Sequence, residues 1–349
     1  MIMKRTGKVL QIASTYMGTV VGAGFATGQE ILQFFTRFGY WGTLTIALAT
    51  FLFIWLGTKM MLIASDIRAK SYEDLNKALF GEQYGRWISH FMFVILLGVT
   101  AVMLAGAGTI FYENWNISYQ TGLLITIVGC YFLLRKGMKS ILMVNAIVVP
   151  VMLLFTILII VDTFNTPGAG RFISLASDHS IWAAWAAPFL YAAFNLSMSQ
   201  AVLVPLGAEI RDRKVIIIGS WLGGIGIGFM LLAGHIALSV HMPGIQQYAI
   251  PMGGIAKQLG HSVQFIYVFL IFAEIFTTLI ADIYGLTLQL QERLKWSRSI
   301  ITTIILLFCY MASQIGFGPL LSTLYPIFGL ISLGWLYLII RKRMGRSEA

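Results

Sequence analysis

The chain has 349 residues, of which 58% are hydrophobic and only 11% are charged, and its formal net charge is +10. A soluble domain carries about 25% charged residues, so this chain has too few charges to cover a surface that faces water. The composition excludes an ordinary soluble enzyme and predicts an all-α integral membrane protein. The Lys and Arg residues lie in short runs between long apolar stretches, which argues against a nucleic-acid-binding protein.

Ten stretches of the chain are apolar enough to cross a bilayer, which takes about 20 residues per helix. The fourth and ninth stretches are short, whereas the first and eighth are long enough to tilt. We expect the ten spans at about 8–36, 41–65, 87–112, 119–134, 140–162, 181–206, 214–239, 262–290, 299–315 and 318–340.

The positive charges predict the orientation of these spans. Of the 24 Lys and Arg residues, all but Arg37, Arg171 and Lys257 fall in segments that share one side of the membrane if the spans alternate in direction. Positively charged loops stay on the cytoplasmic side. We therefore predict a multi-pass protein of the plasma membrane with both termini in the cytoplasm.

Ten spans divide into two halves of five, and the odd number inserts the second half in the opposite direction. We predict one transmembrane domain over 1–349, with repeat one at about 8–162 and repeat two at about 181–340. Pro150 and Pro326 support the pairing, because each lies in the fifth span of its half. Inverted repeats with interrupted first helices are typical of secondary transporters.

Span one carries the strongest sign of a binding site. Four glycines fall within the eleven positions from Gly18 to Gly28, and the acidic Glu30 follows. Each glycine lowers helix propensity by about 1 kcal/mol relative to alanine, so we predict an interruption. Freed backbone groups at membrane depth line a cavity or bind a ligand, and amides of a restarted helix favour an anion. Close packing of a glycine-rich helix against a neighbour is the alternative.

Span six holds Asn195, Ser197 and Ser199 between Pro188 and Pro205, which predicts a second interruption. Hydrogen bonding between helices is the alternative explanation for these polar residues.

Span eight places polar side chains on one helical face, beginning with Glu274, Thr277 and Thr278 and continuing to Asp282. Carboxylates within the membrane usually mark ion or proton paths. For Asp282, an ion pair with a cationic loop residue is an equal alternative.

Three further features lie outside these spans or beside them. Ser71 is a good N-cap and predicts a short interfacial helix in the connection 66–86. The connection 241–261 is interpreted either as a lid over an outward cavity or as an ordinary loop. His235 in span seven is interpreted as an interior histidine that makes hydrogen bonds.

The segment from Gly18 to Gly24 resembles the unwound first helix of the leucine-transporter fold, which is shared by the amino acid–polyamine–organocation superfamily. The stretch from Gly22 to Glu30 resembles more specifically the YkvI-type permeases of bacteria. The resemblance covers the whole chain in span order. It implies a leucine-transporter-like fold in the bacterial inner membrane, with helices one and six broken.

The resemblance also implies roles for individual residues. Phe25 stands where sodium-coupled neurotransmitter-type members have an asparagine ligand, so a second sodium site is not expected. The acid Glu274 beside the threonines leaves proton coupling open. The implied substrate-binding residues are Gly22, Ala23, Gly24, Phe25, Ala26, Thr27, Phe194, Asn195, Ser197 and Ser199. The ion-coupling residues implied by the resemblance are Gly18, Val21, Thr277 and Thr278, with a possible Na⁺ held by these four. The acidic residues Glu30 and Glu274 are added as ion-coupling candidates because they lie within apolar stretches.

These observations favour a secondary active transporter of a small zwitterion such as an amino acid, coupled to Na⁺ or H⁺, working by alternating access. Its expected partners are the bilayer and the solute, with no resident cofactor and an open oligomeric state. The alternative is a ligand-sensing receptor on the same scaffold, like germinant-receptor subunits. No paired catalytic motif is present in the sequence, which argues against an intramembrane enzyme.

Overall fold

The computed structural model describes residues 2–69, 71–134, 139–210 and 212–342. Every regular element in these ranges is helical, which confirms the predicted all-α class. Several cations used to predict the orientation lie outside the described residues, namely Lys70, Arg135, Lys136, Arg211, Arg343 and Arg346.

The described residues form α1 (Ile2–Val20), α2 (Ala23–Ala26), α3 (Gln29–Phe34), α4 (Tyr40–Leu52), α5 (Thr58–Ile67), α6 (Tyr72–Phe80), α7 (Glu82–Trp115), α8 (Tyr119–Leu134), α9 (Lys139–Phe164), α10 (Ile181–Glu209), α11 (Arg213–Val240), α12 (Pro251–Ala256), α13 (His261–Leu294), α14 (Arg298–Ser313) and α15 (Phe317–Arg341).

Six helical segments in the described part of the chain are long and apolar enough to cross a membrane. They are the continuous segment Tyr40–Ile67, which joins α4 and α5, and helices α7, α10, α11, α13 and α15. Three apolar helices are shorter, namely α8, Val148–Phe164 of α9, and α14. The first predicted span is divided among α1, α2 and α3. The count of ten spans and the inverted repeat stay predictions.

The two ends of the helix bundle differ in charge. At one end, which we call the terminal end, Arg5 forms an ion pair of 2.8 Å with Asp212, and Lys59 Nζ donates to the carbonyl of Ile340 at 2.7 Å. At the opposite end, called the loop end, Arg171 donates to carbonyls at the end of α11. The charge distribution between the two sides and the orientation in a membrane stay predictions.

Helix α1 is held against the segment Tyr40–Ile67 by a polar contact. The residues Phe53–Gly57 form a π-helical turn, which leaves carbonyl groups available for other donors. Tyr16 Oη donates to the carbonyl of Phe53 at 2.8 Å, and both residues are fully buried. This contact fixes the height of α1 and therefore of the interruption that follows it.

The short helix predicted after Ser71 is confirmed as α6, while its position at the membrane interface stays a prediction. The Ser71 hydroxyl accepts from the amide of Asp74, and the Asp74 carboxylate accepts from the amide of Ser71. This reciprocal pair satisfies two amides at the helix start, which explains why the helix begins at Tyr72.

Candidate functional site

Helix α1 ends at Val20 and α2 begins at Ala23. The last helical bond before the break runs from the Val21 amide to the Met17 carbonyl, and the first after it runs from the Ala26 amide to the Gly22 carbonyl. The amide of Gly22 bonds to the carbonyl of Val20 at 2.9 Å, and the Gly22 backbone is extended, with φ −92° and ψ −171°. Within the described residues, the amides of Ala23, Gly24 and Phe25 make no main-chain hydrogen bond. Three donors are therefore available at this depth of the bundle.

The connection 241–261 covers the turn between α2 and α3. The amide of Met252 donates to the carbonyl of Thr27 at 2.9 Å, and Gln29 Nε2 donates to the carbonyl of Tyr248 at 2.8 Å. Gly28 has φ +85°, and the Met252 side chain packs directly on it. The segment Ala23–Thr27 is completely buried in this arrangement. The contacts agree with a lid, although they leave the interpretation as an ordinary loop open.

A buried carboxyl group lies beside the interruption. Glu30 is 3% exposed, and its Oε2 accepts a hydrogen bond of 2.9 Å from Tyr191 Oη of α10. A Cβ built on Gly24 would lie 2.9 Å from Cγ of Glu30 and closer still to its Oε1. Glycine at position 24 therefore makes the room that this carboxyl occupies.

Aromatic rings enclose the Glu30–Tyr191 pair. The rings of Phe34 and Phe35 each lie 5.2 Å from the Tyr191 ring, and the Phe53 ring lies 5.8 Å away. These rings exclude water from the carboxyl group, so its protonation state matters to the stability of the surrounding packing.

The prediction that helix six is broken is wrong, because α10 runs unbroken from Ile181 to Glu209. Its polar side chains bond back to its own carbonyl groups: Asn195 to Tyr191 at 3.1 Å, and Ser199 to Asn195 at 2.7 Å. These bonds satisfy the side chains without unwinding the helix. The two prolines are accommodated inside the helix as well.

Two of the polar and aromatic residues of α10 attach it to α15. Ser197 Oγ lies 3.0 Å from Ser332 Oγ, and the Phe194 ring lies 4.5 Å from the Tyr325 ring. The alternative explanation from the sequence, hydrogen bonding between helices, therefore accounts for Ser197. Phe194 is only 3% exposed and packs in the core.

Helix α13 carries two buried carboxyl groups. Glu274 is 1% exposed, and Glu274 Oε2 and Asp282 Oδ2 are buried with no hydrogen-bond partner in the described part of the chain. The ion pair considered for Asp282 is therefore not found there. Thr277 Oγ1 donates to the carbonyl of Glu274 at 3.1 Å, whereas Thr278 is half-buried.

The structure brings some of the predicted residues together. Tyr267 Oη of α13 donates to the carbonyl of Ala26 at 3.1 Å, which joins α13 to α2.

Other predicted neighbours remain unconnected. Gly18 faces α9, where a Cβ would lie 2.9 Å from Val149 Cγ2, and the Thr277 hydroxyl bonds within its own helix. The Na⁺ site implied for Gly18, Val21, Thr277 and Thr278 stays a prediction. Among the described residues, no three His, Cys, Asp or Glu side chains are grouped to hold a metal ion.

Sequence reasoning missed Tyr191 as a site residue. Tyr191 lies one helical turn before Asn195, so helical periodicity was the available signal for it.

His235 makes the interior hydrogen bonds expected for it, with ring nitrogens 3.1 Å from Thr36 Oγ1 and 3.0 Å from Thr43 Oγ1.

A small cavity lies between α2, α3, α9 and α11 to α13. Phe25, Ile31 and Tyr267 are among its lining residues, and its volume is about 10 Å³. A space of about this size holds one water molecule. The segment after the interruption is therefore occluded in this structure.

Solved structures show the same fold. MhsT in complex with L-phenylalanine superimposes with a TM-score of 0.66 at 15% identity, covering 95% of this chain and 87% of that one. The manganese transporter of Eremococcus coleocola gives 0.56 at 12% identity, covering 96% and 78%. Inward-facing Mhp1 gives 0.55 at 10% identity, covering 93% and 73%. These are leucine-transporter folds.

No family model matches the chain. The protein YyaD of Bacillus subtilis (strain 168) is 24% identical over 324 residues, which is 93% of each chain. The membrane protein YkvI of the same organism is 41% identical over 343 residues, which is 98% of each chain. Identity at this level over nearly the full length, together with the fold, shows that the chain belongs to the YkvI family of membrane proteins.

Proposed function

We propose that the protein is a secondary active transporter of a small zwitterionic solute, an amino acid or a similar compound, that works by alternating access in the bacterial inner membrane. The observation that carries this proposal is the interruption of span one beside the buried Glu30. The interruption leaves the amides of Ala23, Gly24 and Phe25 without main-chain partners. Backbone donors at membrane depth favour the carboxylate of a solute.

The fold supports the same class of function. MhsT, the structure with a TM-score of 0.66, was solved with bound L-phenylalanine. A second structural neighbour is a manganese transporter. The aromatic ring of Tyr191, whose hydroxyl bonds to Glu30 beside the interruption, suits a solute with an apolar side chain.

The buried carboxyl groups support coupling to a cation. Glu30 and Glu274 are almost completely buried, and Glu274 Oε2 has no hydrogen-bond partner among the described residues. A carboxyl in such a place binds H⁺, or a cation such as Na⁺ with help from the hydroxyls of Thr277 and Thr278. Movement of the ion down its gradient would then drive the solute.

The test is solute uptake by proteoliposomes that contain the purified protein. Radiolabelled amino acids are supplied with an inward Na⁺ gradient, an inward H⁺ gradient or neither. We expect uptake to need one gradient and to fall at least tenfold in Glu274→Gln and Thr278→Ala. The matched control is Glu82→Gln, which makes the same chemical change at an exposed position.

The same preparation separates a transporter from a receptor. A ligand that binds only the folded state raises the melting temperature as its concentration exceeds Kd. Thermal stabilisation by an amino acid without uptake under any gradient would refute the transporter and favour the receptor. Full uptake in both Glu274→Gln and Thr278→Ala would refute the assignment of the coupling residues.

A further inference from the structure

A groove runs along the surface between α8 and α14. At the loop end the two helices are joined, because Tyr119 Oη donates to the carbonyl of Ser313 at 2.5 Å and Gln120 Nε2 donates to Gln314 Oε1 at 2.6 Å. Toward the terminal end, two adjoining cavities lie between them, and Tyr131 lines both.

The first cavity is apolar and has a volume of about 560 Å³. Leu124, Val128 and Leu307 are among its lining residues, and they are 54%, 51% and 59% exposed. The volume falls in the range of about 300–1,000 Å³ found for small-molecule sites. At the depth of the hydrocarbon core, the molecule available to fill such a space is a lipid acyl chain.

The second cavity lies at the terminal end and has a polar lining. Its volume is about 240 Å³, and Arg298, Ser299 and Thr302 contribute to it. The Arg298 guanidinium lies 4.5 Å from the centre of the Tyr284 ring, which holds it in place. Its Nη2 atom is buried and has no hydrogen-bond partner among the described residues. Arg298 nevertheless lines the cavity, and a phosphate oxygen is a strong acceptor for a guanidinium donor.

The lengths of the two helices set the depth of Arg298. Helices α8 and α14 have 16 residues each, so each is about 24 Å long. This is shorter than a hydrocarbon core of about 30 Å, so the helix ends lie near the boundary with the headgroups. The positive charge of Arg298 at this boundary favours an anionic headgroup.

We propose that the groove between α8 and α14 binds one anionic glycerophospholipid from the leaflet at the terminal end. An acyl chain lies along Val128 and Leu307, and a phosphate oxygen accepts a hydrogen bond from the Arg298 guanidinium. The hydroxyls of Ser299 and Thr302 lie beside the headgroup. The inference depends on insertion in a membrane and does not depend on the transport function.

The test uses the full-length protein in detergent and native mass spectrometry with added phosphatidylglycerol or phosphatidylcholine. We expect the wild type to bind one phosphatidylglycerol about tenfold more tightly than phosphatidylcholine. The variant Arg298→Gln should lose this preference, while Arg341→Gln, which removes a charge at the same end from an exposed position of α15, should keep it.

A second pair of variants tests the apolar cavity and keeps the experiment decisive if Arg298→Gln fails to fold. Val128→Trp should reduce binding of both lipids, because the indole fills the groove. Leu330→Trp adds the same side chain at a site 64% exposed on α15 and should leave binding unchanged. Equal binding of both lipids by the wild type, equal binding by Val128→Trp and Leu330→Trp, or a lipid-free dimer that buries the groove would overturn the proposal.

Discussion

Replacing Gly24 with alanine tests whether the room at this glycine exists for the carboxyl of Glu30. The added Cβ would lie 2.9 Å from Glu30 Cγ and 3.0 Å from Cδ, distances that force the side chain to move. Its Oε2 atom would then leave Tyr191 Oη, which now donates to it at 2.9 Å. The perturbation therefore breaks one buried hydrogen bond and leaves its groups in an apolar environment.

The cost of this change follows from two opposing contributions. Leaving a buried polar group without its partner costs about 1–3 kcal/mol. Alanine regains about 1 kcal/mol of helix propensity relative to glycine. The net loss is therefore up to about 2 kcal/mol, which lowers the melting temperature by up to about 8 °C. Solute uptake should also fall, because the carboxyl no longer occupies its position.

The assay is thermal unfolding of the purified variants, followed by tryptophan fluorescence, together with uptake by proteoliposomes. Gly22→Ala is the control for stability, because a Cβ at Gly22 would meet no atom within 4 Å. In a Glu30→Ala background the clash is absent, so Gly24→Ala should be neutral or stabilising by up to about 1 kcal/mol. Equal melting temperatures for Gly22→Ala and Gly24→Ala in the wild-type background would refute the reasoning.

Three further predictions follow from other contacts. Gly28→Ala should lower the free energy of unfolding by about 1–3 kcal/mol, because position 28 has φ +85° and its Cβ would lie 2.5 Å from Met252 Cγ. Limited proteolysis measures how far the connection 241–261 is loosened. Partial desolvation raises the pKa of Asp212, but hydrogen bonds from Arg5 and from backbone amides lower it further, so the pKa lies below its usual value. Arg5→Gln should therefore lower the melting temperature at neutral pH, and the difference should vanish as pH falls through that pKa, below about pH 4. In a Cys-free background, Lys257→Cys should react with an impermeant maleimide in intact cells if the loop end faces outward.

Each of these predictions has a matched control. Gly168→Ala has a similar left-handed strain, with φ +92° and ψ +11°, and its Cβ would meet Arg171 only at 3.4 Å, so equal costs at 28 and 168 would contradict the role of the Met252 contact. Lys8→Gln removes a charge from an exposed position of α1, and an equal pH dependence in it and in Arg5→Gln would contradict the ion pair. Glu82→Cys should react only in permeabilised cells, and the reverse pattern would invert the predicted orientation.

Span one is interrupted whereas α10 is continuous, although the sequences of both contain residues that disfavour a helix. The glycines around Gly22 lack side chains that could restore the missing hydrogen bonds, so the weak helix propensity there meets no local opposition. Asn195 and Ser199 have side chains that reach the carbonyls of the preceding turn, and these bonds are compatible with a continuous helix. A polar cluster between two prolines therefore resembles an interruption in sequence while packing as a helix.

The candidate site was partly visible in advance. Glu30 and Glu274 stood out because a carboxyl in an apolar stretch is costly unless it faces the interior. The partner of Glu30 was not predictable, because Tyr191 is 161 residues away in the chain and tyrosines occur throughout the apolar stretches. The two side chains meet because α3 and α10 pack with Glu30 and Tyr191 at the same height in the bundle.

The amino-acid sequence was sufficient to predict the class of the protein and the boundaries of most helices. These properties follow from local composition and periodicity, since apolar length acts through the lipid. Only the packed helices show that Tyr191 donates to Glu30, that Gly24 makes room for that carboxyl and that Arg298 borders a groove between α8 and α14. Such contacts depend on the relative height and rotation of packed helices, which short-range patterns in a chain do not encode.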